Sequence, residues 1–146
     1  MTLGPLPLDD VLLGCRALVL TSPRLADIPG HLLNQDFTKP AGMYWEESMD
    51  VLDEYVAGMC GGAAFGGHLQ ETTIEYVVTI KAPENQGTGA VFRTAKEVAD
   101  LCAVGTGLIL ASGQATVGNK QRLGPRSEDD DFVMRVRLDI IAYGLG

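Results

Sequence analysis

Phe132-Val133-Met134-Arg135-Val136-Arg137-Leu138-Asp139-Ile140-Ile141 decides the fold class. Phe132, Met134, Val136, Leu138 and Ile140 form one apolar row, and Val133, Arg135, Arg137, Asp139 and Ile141 form the alternate, mixed row. A period of two places successive side chains on opposite faces, so the stretch predicts a long strand with one buried face. The same alternation occurs upstream, where Ile74, Tyr76, Val78 and Ile80 interleave with Thr73, Glu75, Val77, Thr79 and Lys81. Two half-buried strands need a layer to cover them.

Two amphipathic helices supply that layer. Leu8, Val11, Leu12, Cys15, Leu18 and Val19 fall on one helical stripe, with Pro7 suited to the first turn, Asp9 and Asp10 complementing the dipole, and Pro23 beyond the end. Val91, Phe92, Ala95, Val98, Ala99 and Cys102 form a second stripe, closed by Gly105 and Gly107. Both helices are expected on the sheet face that carries Ile74, Tyr76, Val78, Met134, Val136 and Leu138.

The remaining segments read less sharply. Residues 23–42 contain Pro23, Pro29, Gly30 and Pro40 and predict an irregular connector. Met43 to Val51 offers a first strand, against which the adjacent Glu46 and Glu47 count. Residues 53–68 hold Gly58, Gly61, Gly62, Gly66 and Gly67 among Tyr55, Met59 and Phe65, and predict a flexible arm or long hairpin whose apolar anchors await a partner. Leu108 to Val117 reads as a strand, Gly118-Asn119 as a turn into a short strand through Arg122, and Ser127 to Asp131 as a polar loop. The expected fold is thus α+β, a single mixed or antiparallel sheet with two helices on one face, in the order α-β-β-α-β-β-β. It forms one domain over 1–146.

Composition narrows the function. With 146 residues, the chain can bury a core that needs neither disulfide nor structural metal. Eleven Lys and Arg against 19 Asp and Glu give a net charge of −8, the wrong sign for gripping phosphates or anionic membranes. Cys15, Cys60 and Cys102 are an odd, sparse set that suits a reducing compartment, and neither an export signal nor a spanning segment is expected.

No familiar catalytic spacing is present: the sequence lacks H-E-x-x-H, C-x-x-C, G-x-S-x-G and G-x-G-x-x-G. Gly113 to Lys120 approaches a phosphate-loop spacing, but Asn119 stands where lysine belongs. His31 and His68 have no acid or thiol at ligand spacing, and Cys60 has no basic setting to activate it. Glu128, Asp129, Asp130 and Asp131 read either as oxygen ligands for a divalent cation at a subunit contact or as a solvated hairpin tip. Arg135 and Arg137 share a strand face and pair either with acids of a neighbouring subunit or across the sheet with Glu75. No catalytic residue and no cofactor is expected.

One arrangement carries a resemblance. Asn34, Phe37, Pro40, Gly42 and Tyr44 fill an Asn-x-x-Phe-x-x-Pro-x-Gly-x-Tyr segment ahead of the first strand. Further along stand Gln86-Gly87 before a helix, Leu123-Gly124-Pro125-Arg126, an acidic loop and a strand ending in Ile140-Ile141-Ala142-Tyr143. In this, the chain resembles the tail terminator, or tail completion, proteins of long-tailed, siphovirus-type phages. The resemblance implies a non-enzymatic ring, usually hexameric, in the neck region of the virion and assembled in the host cytoplasm. Such a ring caps the tail tube, stops its polymerisation and joins head completion or stopper proteins, while the genome passes through its lumen without specific binding. Tyr55, Met59, Phe65, Arg135 and Arg137 are the expected subunit or tube contacts. A head-side stopper, a tube subunit and, more remotely, a small α+β enzyme are the rival readings.

Overall fold

The computed structural model describes residues 7–59, 68–84, 87–110 and 113–145. They form α1 (Leu8–Val19), α2 (Pro23–Ala26), β1 (Gly30–His31), β2 (Tyr44–Met59), β3 (His68–Pro83), α3 (Thr88–Leu101), β4 (Gln114–Glu128) and β5 (Asp131–Leu145). The strands make one sheet in the order β1-β2-β3-β5-β4. Every long pairing is antiparallel; the two-residue β1 alone runs parallel to its neighbour.

The alternating rows fall as their periodicity requires. Ile74, Tyr76, Val78 and Ile80 of β3 and Met134, Val136, Leu138 and Ile140 of β5 are buried in one core with Trp45, Ala115 and Val117. Val11, Cys15 and Val19 of α1 and Val91, Ala95, Val98 and Ala99 of α3 cover that face. The register Tyr76↔Leu138 and Val78↔Val136 sets inward residues directly opposite one another, where apolar cross-strand pairs contribute most.

Local chemistry fixes the helix ends. Gly87 precedes α3 at φ 71, in the left-handed region that glycine enters without steric cost. At the other end, Lys120 Nζ of β4 donates to the Ala99 carbonyl at 2.6 Å, satisfying one of the terminal acceptors. Ser22 Oγ accepts from the Leu25 amide to start α2 and donates to Glu97 of α3 at 2.8 Å.

Four expectations need correction. The connector 23–42 is not wholly irregular, since it contains α2 and β1. The first strand does not stop at Val51: β2 continues to Met59, paired with His68 to Thr73, so residues 53–59 belong to the sheet, while 60–67 lie outside the described residues. Leu108 to Val117 is not a strand; Gly107 alone bridges to Thr116, and β4 begins at Gln114. Gly118-Asn119 does not turn the chain, because Gly118 sits in a bulge between Val117 and Asn119 where a Cβ would lie 2.7 Å from Ile141 Cδ1. Two long strands therefore close the fold in place of three, and the order is α-α-β-β-β-α-β-β.

Candidate assembly interface

The helix-free face of the sheet carries most of its charge, arranged as pairs. Arg135 bonds Glu128 at 2.8 Å, and Arg137 bonds Asp139 at 3.0 Å and stands 3.9 Å from Glu75. Lys81 stands 3.4 Å from Glu46, which also lies 3.7 Å from His31 Nδ1. Tyr143 donates to Glu71 at 2.5 Å. The Arg135 guanidinium lowers the pKa of Glu128, and Asp139 raises that of Arg137. Both arginines singled out in the sequence thus share the outer face and are held by acids of their own chain.

The acidic run forms the β4–β5 turn. Glu128 pairs with Asp131 across it, and Asp129 (φ 48) and Asp130 (φ 66) occupy its two left-handed positions. Lys39 binds Asp131 at 3.1 Å, so the two flanking acids already hold cations. No group of three or more His, Cys, Asp or Glu among the described residues is arranged to hold a metal ion. Tyr55 and Met59 stand in β2, opposite Glu71 and His68 respectively, and Phe65 lies outside the described residues.

A shallow groove of about 320 Å³ on this face is lined by Glu46, Ser48, Glu75, Thr79, Leu123 and Arg135. It holds neither a thiol nor an imidazole. The two described cysteines are buried under the sheet, and burial pushes the Cys15 thiol to about 12 and that of Cys102 to about 11, so neither ionises near neutral pH. Cys60 lies outside the described residues, and the Gly113 to Lys120 spacing is taken up mostly by extended strand.

Sequence reading missed the buried charge beneath the sheet. Glu47 points into the core with its side chain fully buried, bonded by Arg16 of α1, by the Tyr76 hydroxyl at 2.6 Å and by the Leu33 amide at 3.0 Å. Burial pushes the Glu47 pKa up, but the hydrogen bonds from Arg16, Tyr76 and Leu33 outweigh it and leave a net lowering. An acid on the inward phase of a strand and an arginine beside a helical stripe were the available signal. Together they anchor α1 and the loop after β1 to the sheet.

That loop is where the Asn-to-Tyr segment folds. Asn34 adopts φ 61, Phe37 stacks on His31 at 4.8 Å and tilts against Tyr44 at 5.4 Å, and Tyr44 opens β2. Of the spaced residues, Phe37 and Tyr44 therefore meet at the edge of the sheet beside β1.

Both sheet edges are largely open among the described residues. β1 covers β2 only at Trp45 and Glu46. On the far side, the 105–108 segment bonds β4 only at Ala115 and Val117, leaving the strand from Asn119 onward without a main-chain neighbour on that side. Asp50, Val51, Leu52, Asp53 and Glu54 are exposed on one edge, and Arg122, Leu123 and Arg126 on the other. Edges of this kind offer unpaired N–H and C=O groups to another strand. A separate apolar patch lies on the helix side, where Gly14, Ala17, Leu18 and Leu108 line a pocket capped by the exposed Ile109.

No family model matches this sequence, and no curated protein matches it. Among solved structures, one chain superimposes with a TM-score of 0.70 over 94% of this chain and 96% of its own, at 16% identity. A chain from the virion of a native gene transfer agent particle superimposes with a TM-score of 0.53 over 95% of this chain and 97% of its own, also at 16% identity. At such identity the likeness is one of fold, and it extends over nearly the full length of all three chains.

Proposed function

We propose that this chain is a structural, non-enzymatic protein of a phage-like virion, and within it a tail terminator: a ring that caps the tail tube and joins it to head completion proteins. The observation that carries the reading is the full-length likeness to a chain of a gene transfer agent virion. Two further observations support it. Two of the residues on which the resemblance to tail terminators rests, Phe37 and Tyr44, are in ring contact with each other at the sheet edge, with His31 stacked on Phe37. The sheet exposes one helix-free face and two open edges, which suits a subunit that meets copies of itself on both sides.

Charge fits the same role. Six copies at −8 carry about −48, and an acidic wall offers a passing genome no counterion-release gain, so DNA slides without being held. Arg135 and Arg137, with Tyr55, Met59 and Phe65, remain the proposed contact residues toward subunits or tube, the arginines acting from within their in-chain pairs. Electron microscopy of the purified protein tests the reading: single closed rings are expected, whereas long tubes would indicate a tube subunit. Particles assembled without the chain should carry tails of uncontrolled length; tails of normal length that lack heads would favour the stopper reading.

A further inference from the structure

The two open edges of the sheet carry opposite charge. From Glu46 to Glu54, β2 holds five acids and no cation. Glu47 points inward and Glu46 is engaged by Lys81, which leaves Asp50, Asp53 and Glu54 exposed. From Lys120 to Arg126, β4 holds three cations and no acid. Lys120 caps α3, while Arg122 is exposed and Arg126, 3.6 Å from Glu128, is 57% exposed. Acidic and basic edges thus lie at opposite ends of one sheet.

We infer that copies of this chain join head to tail through these edges, β4 of one subunit pairing antiparallel with β2 of the next and Arg122 and Arg126 facing Asp50, Asp53 and Glu54. The inference rests on the ring reading above and names the contact that closes it.

Strand direction permits the pairing. β2 is antiparallel to β3, β3 to β5 and β5 to β4, so β4 and β2 run oppositely, and a head-to-tail copy sets them antiparallel. The offset along the strands also works. Within one subunit, Gln121 stands level with Ser48 through Arg137 and Val77. In a closed barrel the strands tilt by about 35–45°, so crossing four strands spaced about 4.8 Å displaces the next copy by about 13–19 Å along the strand, or four to six residues. A five-residue offset brings Gln121 level with Asp53 and Arg122 alongside Leu52. The β3–α3–β4 connection joins parallel strands, for which the right-handed crossover is the rule. With that hand and right-twisting strands, a ring that sets the helices outside slides the basic stretch toward Asp53 and Glu54.

Edge strands are commonly guarded against stray pairing by charge, bulges and proline, and Pro125 and the bulges at Leu52 and Gly124 fit that pattern. The distribution of sign does more than guard. Like edges repel, so β2 does not pair with β2 nor β4 with β4, whereas unlike edges attract. Leu52 and Leu123, 48% and 38% exposed, give the same contact an apolar component.

A charge swap tests the contact. One variant carries Arg122→Glu with Arg126→Glu, the other Asp53→Lys with Glu54→Lys; circular dichroism and melting verify that each is folded. Sedimentation velocity should show a ring for wild type and, for each variant alone, at least a tenfold rise in the concentration needed for assembly. Mixing the two variants, or placing all four changes in one chain, should restore rings, because each contact again joins unlike edges. Amide exchange on the wild type gives a second readout, with protection at 48–54 and 119–126 rising on assembly. Rings formed by the single variants as readily as by wild type, no rescue by mixing, or unchanged exchange at both edges would overturn the edge contact and leave the ring reading standing. A wild-type chain that stays monomeric at all concentrations would remove the ring reading itself, and this contact with it.

Discussion

Arg16→Met should cost this protein about 3 kcal/mol, and Glu47→Gln only about 1–2 kcal/mol, although the two substitutions break the same pair. The asymmetry follows from exposure. The Glu47 side chain is completely buried, while that of Arg16 is 16% exposed. Removing the arginine strands a carboxylate among core residues, with only the Tyr76 hydroxyl and the Leu33 amide left to bond it. Removing the charge leaves an amide oxygen to accept from the Leu33 amide, an amide NH2 that can donate to the oxygen of a turned Tyr76 hydroxyl, and a guanidinium that can turn toward water. Against a total stability of about 5–15 kcal/mol, the first loss is large and the second moderate. Replacing the pair and its hydroxyl partner together, as Arg16→Met, Glu47→Leu and Tyr76→Phe, should return part of the loss, since only the Leu33 amide, in a half-buried residue, is then left without its acceptor.

Urea titrations at one fixed protein concentration measure these differences, with the slope compared to ensure that the unfolded state is unchanged. Acid titration gives an independent check of sign. The folded pKa of Glu47 lies below its ordinary 4.5, so its contribution is complete above that value and is lost as pH falls through the lower, folded one. Wild type should therefore lose stability more steeply than Glu47→Gln below about pH 4.5. Equal costs for Arg16→Met and Glu47→Gln, or parallel acid limbs, would refute the claim that the ion pair is buried from one side only.

Three further outcomes are expected. Leu138→Ala should cost about 2–5 kcal/mol and its outward neighbour Arg137→Ala less than about 1 kcal/mol, so urea midpoints that shift equally would place the strand out of register. Asp129→Asn with Asp130→Gly should stabilise the β4–β5 hairpin by about 0.5–1 kcal/mol, because both positions are left-handed; an unchanged or lower melting temperature would count against the turn. Gly30→Ala should cost about 1–3 kcal/mol, since a Cβ there would lie 2.6 Å from the buried Trp45 ring, while Gly42→Ala, with open space around it, serves as the neutral control.

The helices and the central strands were legible because their periodicity is local: α1, α3, β3 and β5 each state their buried face within a dozen residues. β4 was not, because a glycine in a strand reads the same whether it turns the chain or bulges it. Gly118 is fixed as a bulge only by Ile141, on a strand that has not yet been placed when the sequence is read. The far half of β2 was hidden for a similar reason: glycine weakens an isolated strand, and what holds Val51 to Met59 is its pairing with residues 68–74. Glu46-Glu47 looked like evidence against a strand, yet adjacent residues point to opposite faces, so one acid meets Lys81 outside and the other meets Arg16 within.

The edge charges show the same limit at a larger scale. Read along the chain, Asp50-Asp53-Glu54 and Lys120-Arg122-Arg126 are ordinary solvated runs separated by some seventy residues. Only the strand order, with β3 and β5 between them, sends one run to each side of the sheet. A sheet with like-charged edges would stay alone, and one with uncharged edges would add strands without discrimination. Opposed edges admit a single orientation of the neighbour, and a heterologous contact repeated in one orientation closes into a ring where its rotation allows and runs on as a filament where it does not. With strands tilted to the axis, the number of residues by which β4 slides along the neighbouring β2 decides whether successive copies stay level and close as a ring or climb and run on as a filament.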